Sequence, residues 1–142
     1  MKLNLLLVED NPGDAHLVRK GLNRLPMGNE VHLVTDGLQA IQFLKKEGIF
    51  EKMPRPDLII LDLNLPGKHG HEVLSDIKQN PEWKAIPVIV LSSSSSESDI
   101  RKSSMNHANA YLVKPMELAD YMHLTDTIGA FWMGLVKLAS KP

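Results

Sequence analysis

Five short runs of this chain are apolar at nearly every position: Leu3–Val8, Val31–Val34, Leu58–Leu61, Val88–Leu91 and Ala110–Val113. A strand with one wet face alternates apolar and polar residues. These runs hardly alternate, so they read as strands covered on both faces, the kind that parallel sheets bury between helices. Segments of helical period separate them. Ala15, Val18, Leu22 and Leu25 mark one apolar face, after a helix start at Asp10-Asn11-Pro12. Ala40, Ile41 and Leu44 mark a second, opened by Asp36-Gly37, and Val73, Leu74 and Ile77 a third, ended by Asn80-Pro81. A fourth helix around Asp99–Met105 is poorly patterned, and a fifth begins near Met116 and runs towards Leu138. This alternation predicts a doubly wound (βα)5 domain, because parallel strands need crossovers and right-handed crossovers dominate. Lys45–Pro56, charged and punctuated by proline, reads as a long surface connection.

Three of the strands end on charge. Val8 is followed by Glu9-Asp10, Leu61 by Asp62, and Val113 by Lys114-Pro115. In an open parallel sheet the carboxyl ends of the strands share one edge, and ligands bind there. The carboxylates and the ammonium should therefore meet in one crevice. Crowded carboxylates resist ionising unless a cation compensates them. A hard divalent ion with oxygen ligands is the natural compensator. The pattern reads as a Mg²⁺-dependent phosphate site built around one aspartate.

The 142 residues suit one compact domain, and 43% apolar with 23% charged residues is ordinary globular composition. The net charge of -1 comes without a basic block, which argues against a nucleic-acid surface. No cysteine is present, so disulfides, thiolate chemistry and cysteine zinc sites are excluded. The apolar runs are too short to span a bilayer. Met1-Lys2 leads straight into a strand, with no secretion signal. The expectation is a cytoplasmic protein.

An acidic pair after strand one, an Asp after strand three, a small hydroxyl residue after strand four and Lys-Pro after strand five resemble the receiver domain of two-component response regulators. The match covers nearly the whole chain, and Pro66 and Gly70 stand at the family's offsets from Asp62. The resemblance implies a flavodoxin-like, CheY-like sheet of order 2-1-3-4-5, here as a single receiver domain over residues 1–142 with no output domain. It implies that Asp62 accepts a phosphoryl group from a sensor histidine kinase. Mg²⁺ would be held by Asp62, Asp10, Glu9 through a water, and the backbone carbonyl of Asn64. Lys114 would bind a phosphate oxygen, its side chain aimed by a cis peptide before Pro115. Ser92 would donate its hydroxyl to the phosphate, and Tyr111 stands at the family's aromatic switch position. The segment Asp57–Pro66, the long loop before it, and Phe131-Trp132 with Val136-Lys137-Leu138 in the last helix are similar to stand-alone regulators that partner bacterial phytochrome kinases. That subgroup usually has threonines where serines follow strand four here, and Met116 replaces the family's common Phe.

Some positions keep rival readings. Ser93 to Ser96 are chemically identical to Ser92, which is favoured by standing directly after the strand. Tyr111 serves equally well as a plain sheet-edge aromatic. His69, His71 and Glu72 offer a His-x-His pattern, but no third ligand is marked, and the segment reads as a solvated loop. A phosphohydrolase of the haloacid-dehalogenase type would need a second acid two residues after Asp62, and Asn64 stands there. On the last helix Leu118, Tyr121, Thr125, Ile128, Trp132 and Leu135 form one stripe, while Met122, Leu124, Phe131, Met133, Val136 and Leu138 add apolar area elsewhere. A helix covering one sheet needs only one stripe. The excess points to a homodimer through the last strand and helix.

Overall fold

A computed structural model describes residues 2–140, without the side chains of residues 138–140, so the expected contribution of Leu138 lies outside the described residues. The elements alternate: β1 (Leu3–Val8), α1 (Pro12–Asn23), β2 (Asn29–Val34), α2 (Gly37–Lys45), β3 (Leu58–Leu61), α3 (Gly70–Gln79), β4 (Val88–Ser92), α4 (Glu97–Met105), β5 (Ala110–Val113) and α5 (Asp120–Ser140). The strands form one parallel sheet of order β2-β1-β3-β4-β5, as expected.

Successive strand residues point to opposite faces, so the apolar runs feed two cores. Leu6, Val8, Ile59, Leu61, Val88 and Val90 pack with Phe43 of α2 and Val73, Leu74 and Ile77 of α3. Leu5, Leu7, Leu58, Ile60, Ile89 and Leu91 pack with Val18 and Leu22 of α1 and Tyr121, Leu124 and Ile128 of α5. β3 is buried at every position, which explains its unbroken Leu-Ile-Ile-Leu.

The helix starts are local chemistry. Asn11 accepts the Asp14 N–H at 2.9 Å, and Pro12 opens α1 where a missing N–H costs nothing. Asp36 accepts the Gln39 N–H at 2.7 Å to start α2. Ser96 caps α4 through the Asp99 N–H, so this helix begins earlier than its apolar pattern suggested. α4 buries only Ser103, which is why its period was hard to read.

Other expectations need correction. The fifth helix starts at Asp120, not near Met116, whose side chain is wholly exposed in the turn before it. Leu124, expected off the main stripe, is buried. The connection after α2 is not purely surface: it forms a short 3-10 turn (Gly48–Phe50), and Phe50 packs on Phe43 with ring centroids 5.4 Å apart. Among the described residues no helix is long and apolar enough to cross a membrane.

Candidate functional site

Sheet register brings the strand ends together. Val8 pairs with Leu61, so Glu9 and Asp62 leave neighbouring strands at the same level, and the Asp62 N–H bonds to the Val8 carbonyl at 3.0 Å. Carboxylate oxygens of Glu9, Asp10 and Asp62 lie within 4.8 Å of one another, the one such group able to share an ion among the described residues. Glu9 is 1% and Asp62 4% exposed, whereas Asp10 faces solvent. The donor set is all oxygen, as a hard cation requires. Glu9 Oε1 is buried with no aligned hydrogen bond and lies against the Lys114 ammonium, an oxygen that already needs a cation beside it. The residues present therefore fit a magnesium-type ion.

Lys114 closes the site. Its Nζ lies 3.2 Å from Asp62 Oδ2 and 2.7 Å from Glu9 Oε1, the latter an ion pair without hydrogen-bond alignment. The expected cis peptide before Pro115 is absent: the chain holds no cis bond among the described residues. No chain reversal is needed there. The Lys114 N–H bonds to the Ser92 carbonyl at 2.7 Å, extending the β4–β5 pairing, and from that position the long side chain already reaches the carboxylates. The trans form is then the favoured one.

Burial pushes Glu9 up to about 7, the hydrogen bond and charge of Asp62 push the same way, and Lys114 offsets part of it. Burial alone would lower Lys114, but contact with Glu9, the hydrogen bond to Asp14 and the charge of Asp62 hold it above its usual value.

The remaining expected residues surround this core. The Asn64 backbone folds back so that its N–H bonds to Asp62 Oδ1 at 3.2 Å. Ser92 is fully buried at the end of β4, and its Oγ accepts the Ser94 N–H at 3.1 Å. Tyr111 is not a plain edge aromatic. It packs on the core and donates its hydroxyl to the Ser94 carbonyl at 2.7 Å, tying β5 to the loop after β4.

Sequence reasoning missed two features. Asp14, in the first turn of α1, accepts a hydrogen bond from Lys114 Nζ at 2.9 Å. Its signal was present, since it follows Asp10 by one helical turn at the sheet edge, but a first-turn acid also reads as a helix-dipole residue. His71 is not in a solvated loop. It sits in α3, 5% exposed, with Nε2 3.1 Å from Asp99 of α4 and Nδ1 unpartnered. Its neighbour Ser94, and then His71 itself, hold the Asp99 carboxyl below the usual range.

An acidic pocket at the carboxyl edge of a five-stranded doubly wound sheet, closed by a lysine just after the last strand, is the arrangement of a receiver domain. The sequence profile described as the response regulator receiver domain matches residues 5–126, so this chain belongs to that family. The chain is similar to response regulator Rcp1 of a Synechocystis species, 46% identical over 94% of this chain and 91% of that protein. It is also 40% identical to a probable methanogenesis regulatory protein, FilR2, of Methanothrix harundinacea, over 92% of this chain and 83% of the other. Among solved structures, the phosphorylated cyanobacterial phytochrome response regulator RcpA is 42% identical with a TM-score of 0.90, covering 94% of this chain and 95% of its own. The Mn²⁺-bound form of Rcp1 is 45% identical with a TM-score of 0.87, covering 92% and 94%.

Proposed function

We propose that this chain is a phosphoacceptor switch in a two-component relay, working in the cytoplasm. The reading rests above all on the surroundings of Asp62: a buried carboxylate with Glu9 and Asp10 oxygens within 4.8 Å on one side and Lys114 Nζ at 3.2 Å on the other. An Asp62 oxygen attacks the phosphorus of a kinase phosphohistidine. The P–N bond breaks, its electron pair leaves with the histidine nitrogen, and Asp62 becomes an acyl phosphate. Glu9, Asp10, Asp62 and the Asn64 carbonyl would hold Mg²⁺, with Glu9 acting through a water. Bound there, the ion supplies counter-charge for the phosphoryl oxygens as they approach a carboxylate. Lys114 binds a phosphoryl oxygen as a point charge.

Ser92 accepts from Ser94 but keeps its own hydroxyl proton, which it donates to the phosphoryl group. That bond draws on the loop whose Ser94 carbonyl holds the Tyr111 hydroxyl, so the change passes to β5 as a population shift between two packings. The output is protein interaction rather than turnover of a substrate. Exposed Val113 of β5, Leu118 in the turn before α5, and Met122, Met133 and Val136 of α5 support a homodimer on this side. The likeness to RcpA supports a phytochrome-type histidine kinase as the donor.

The test is transfer of labelled phosphate from a panel of autophosphorylated histidine kinases, phytochrome-type included, in Mg²⁺. The wild-type chain should take the label from at least one, and Asp62→Asn should take none. Label on Asp62→Asn would end the assignment.

A further inference from the structure

Asp14 grips Lys114 from outside the metal-binding group. Its Oδ2 accepts from Lys114 Nζ at 2.9 Å, closer than Asp62 at 3.2 Å. Its Oδ1 accepts from the Tyr121 hydroxyl at 3.3 Å. Asp14 belongs to the first turn of α1, and Tyr121, 6% exposed, to the first turn of α5. Two helix starts thus clamp one carboxylate. The spacing between them is fixed by a close crossing: a Cβ on Gly21 of α1 would lie 2.4 Å from Thr125 Oγ1 of α5.

Donor counting gives this contact a role. An ammonium has three N–H donors and accepts nothing. The carboxylates around Lys114 are Glu9, Asp14 and Asp62. Glu9 and Asp62 also belong to the group whose oxygens converge on a shared ion site, and Asp14 does not. When Glu9 and Asp62 turn to an ion and to phosphorus, Asp14 is the carboxylate left to hold the ammonium. The N–H donor released by Asp62, and the side of the ammonium that Glu9 leaves, then face the incoming oxygens. We propose that Asp14, oriented by Tyr121, is the positioning residue for Lys114 in phosphorylation. The inference rests on the reading of Asp62 as phosphoacceptor.

The experiment measures the rate of labelling by acetyl phosphate at saturating Mg²⁺ and donor. Asp14→Ala should slow it about tenfold, the scale of one lost charge-assisted hydrogen bond. Asp14→Asn, which keeps an acceptor for Lys114, should fall between. In a Lys114→Ala background the Asp14→Ala change should alter the rate by less than about twofold, since Asp14 acts only through the lysine. Tyr121→Phe should slow the wild type and add nothing to Asp14→Ala, and this second cycle decides the matter if Lys114→Ala labels below detection. Wild-type rates in Asp14→Ala would overturn the proposal. So would equal slowing with and without Lys114, or, in the second cycle, an added effect of Tyr121→Phe on Asp14→Ala; both mark a merely structural role. A wild type that takes no label at all would instead remove the phosphoacceptor reading, and this inference with it.

Discussion

At the scale of single residues, the site is a balance of charge in a dry place. Glu9 shows the sign most clearly. In an unfolded chain it loses its proton near 4.5, whereas the fold keeps it protonated up to about 7. The folded state therefore binds more protons across that window, so stability falls as pH rises through it, and the full cost is present above about 7. The cost is at most about 3 kcal/mol before solvent screening and less after it. Without divalent ions, the thermal midpoint of the wild type should drop between about pH 5 and about pH 8, and Glu9→Gln should flatten that drop. Parallel curves for the two proteins would contradict the assigned burial cost. Most of this site was legible from residue type and position after a strand. Asp14 was not, because a first-turn acid has an adequate local explanation. Pro115 misled because geometry at a strand end depends on how far the next side chain must reach, which no residue type declares.

At the scale of elements, the site depends on the β3–α3 connection lying tight against itself. A Cβ on Gly70 would sit 2.4 Å from the Asp62 carbonyl oxygen and 2.4 Å from Leu63 Cα. Those are backbone atoms, and they belong to the segment that carries Asp62, the proposed phosphoacceptor. Gly70→Ala should lower stability by about 1–3 kcal/mol in denaturant unfolding and slow labelling as well. Gly28→Ala, with nothing within 4 Å of the added methyl, is the control and should do neither. β1, β3 and β4 were readable because burial leaves them almost wholly apolar, whereas the edge strand β2 starts at Asn29, two polar residues ahead of the apolar run Val31–Val34 that marked it. α4 was not readable, because it buries only Ser103 and is held by a serine cap rather than by an apolar stripe. His71 was misread for a related reason: its helix start is capped by His69, a residue type that gives no strong capping signal. What buries it is the α3–α4 packing, which is tertiary.

At the scale of the whole molecule, the fold leaves apolar surface on one side. Tyr121, Leu124 and Ile128 bury α5 against the sheet, but Met122, Met133 and Val136 stay exposed. Met122 and Met133 are separated by about three helical turns and so lie on one face, with Val136 beside them. Sedimentation equilibrium should find a dimer whose dissociation constant rises when Met133 and Val136 are both changed to Asp, with labelling of Asp62 retained. An unchanged dimer, or a monomeric wild type at high concentration, would remove this surface from the account. The sequence excess of apolar residues on α5 was a sound guide to exposure, although it misassigned Leu124, whose burial depends on where α5 crosses α1.

The central claim is that Asp62 carries the phosphoryl group because a divalent ion held by its neighbours makes the added charge tolerable. The direct measurement is to treat the protein with acetyl phosphate in Mg²⁺ or in chelator, reduce it with borohydride, and locate the homoserine that reduction of an aspartyl phosphate leaves. Homoserine at position 62, formed in Mg²⁺ and lost in chelator, is the expected result. Homoserine at another acid, or at position 62 regardless of the metal, would contradict the account.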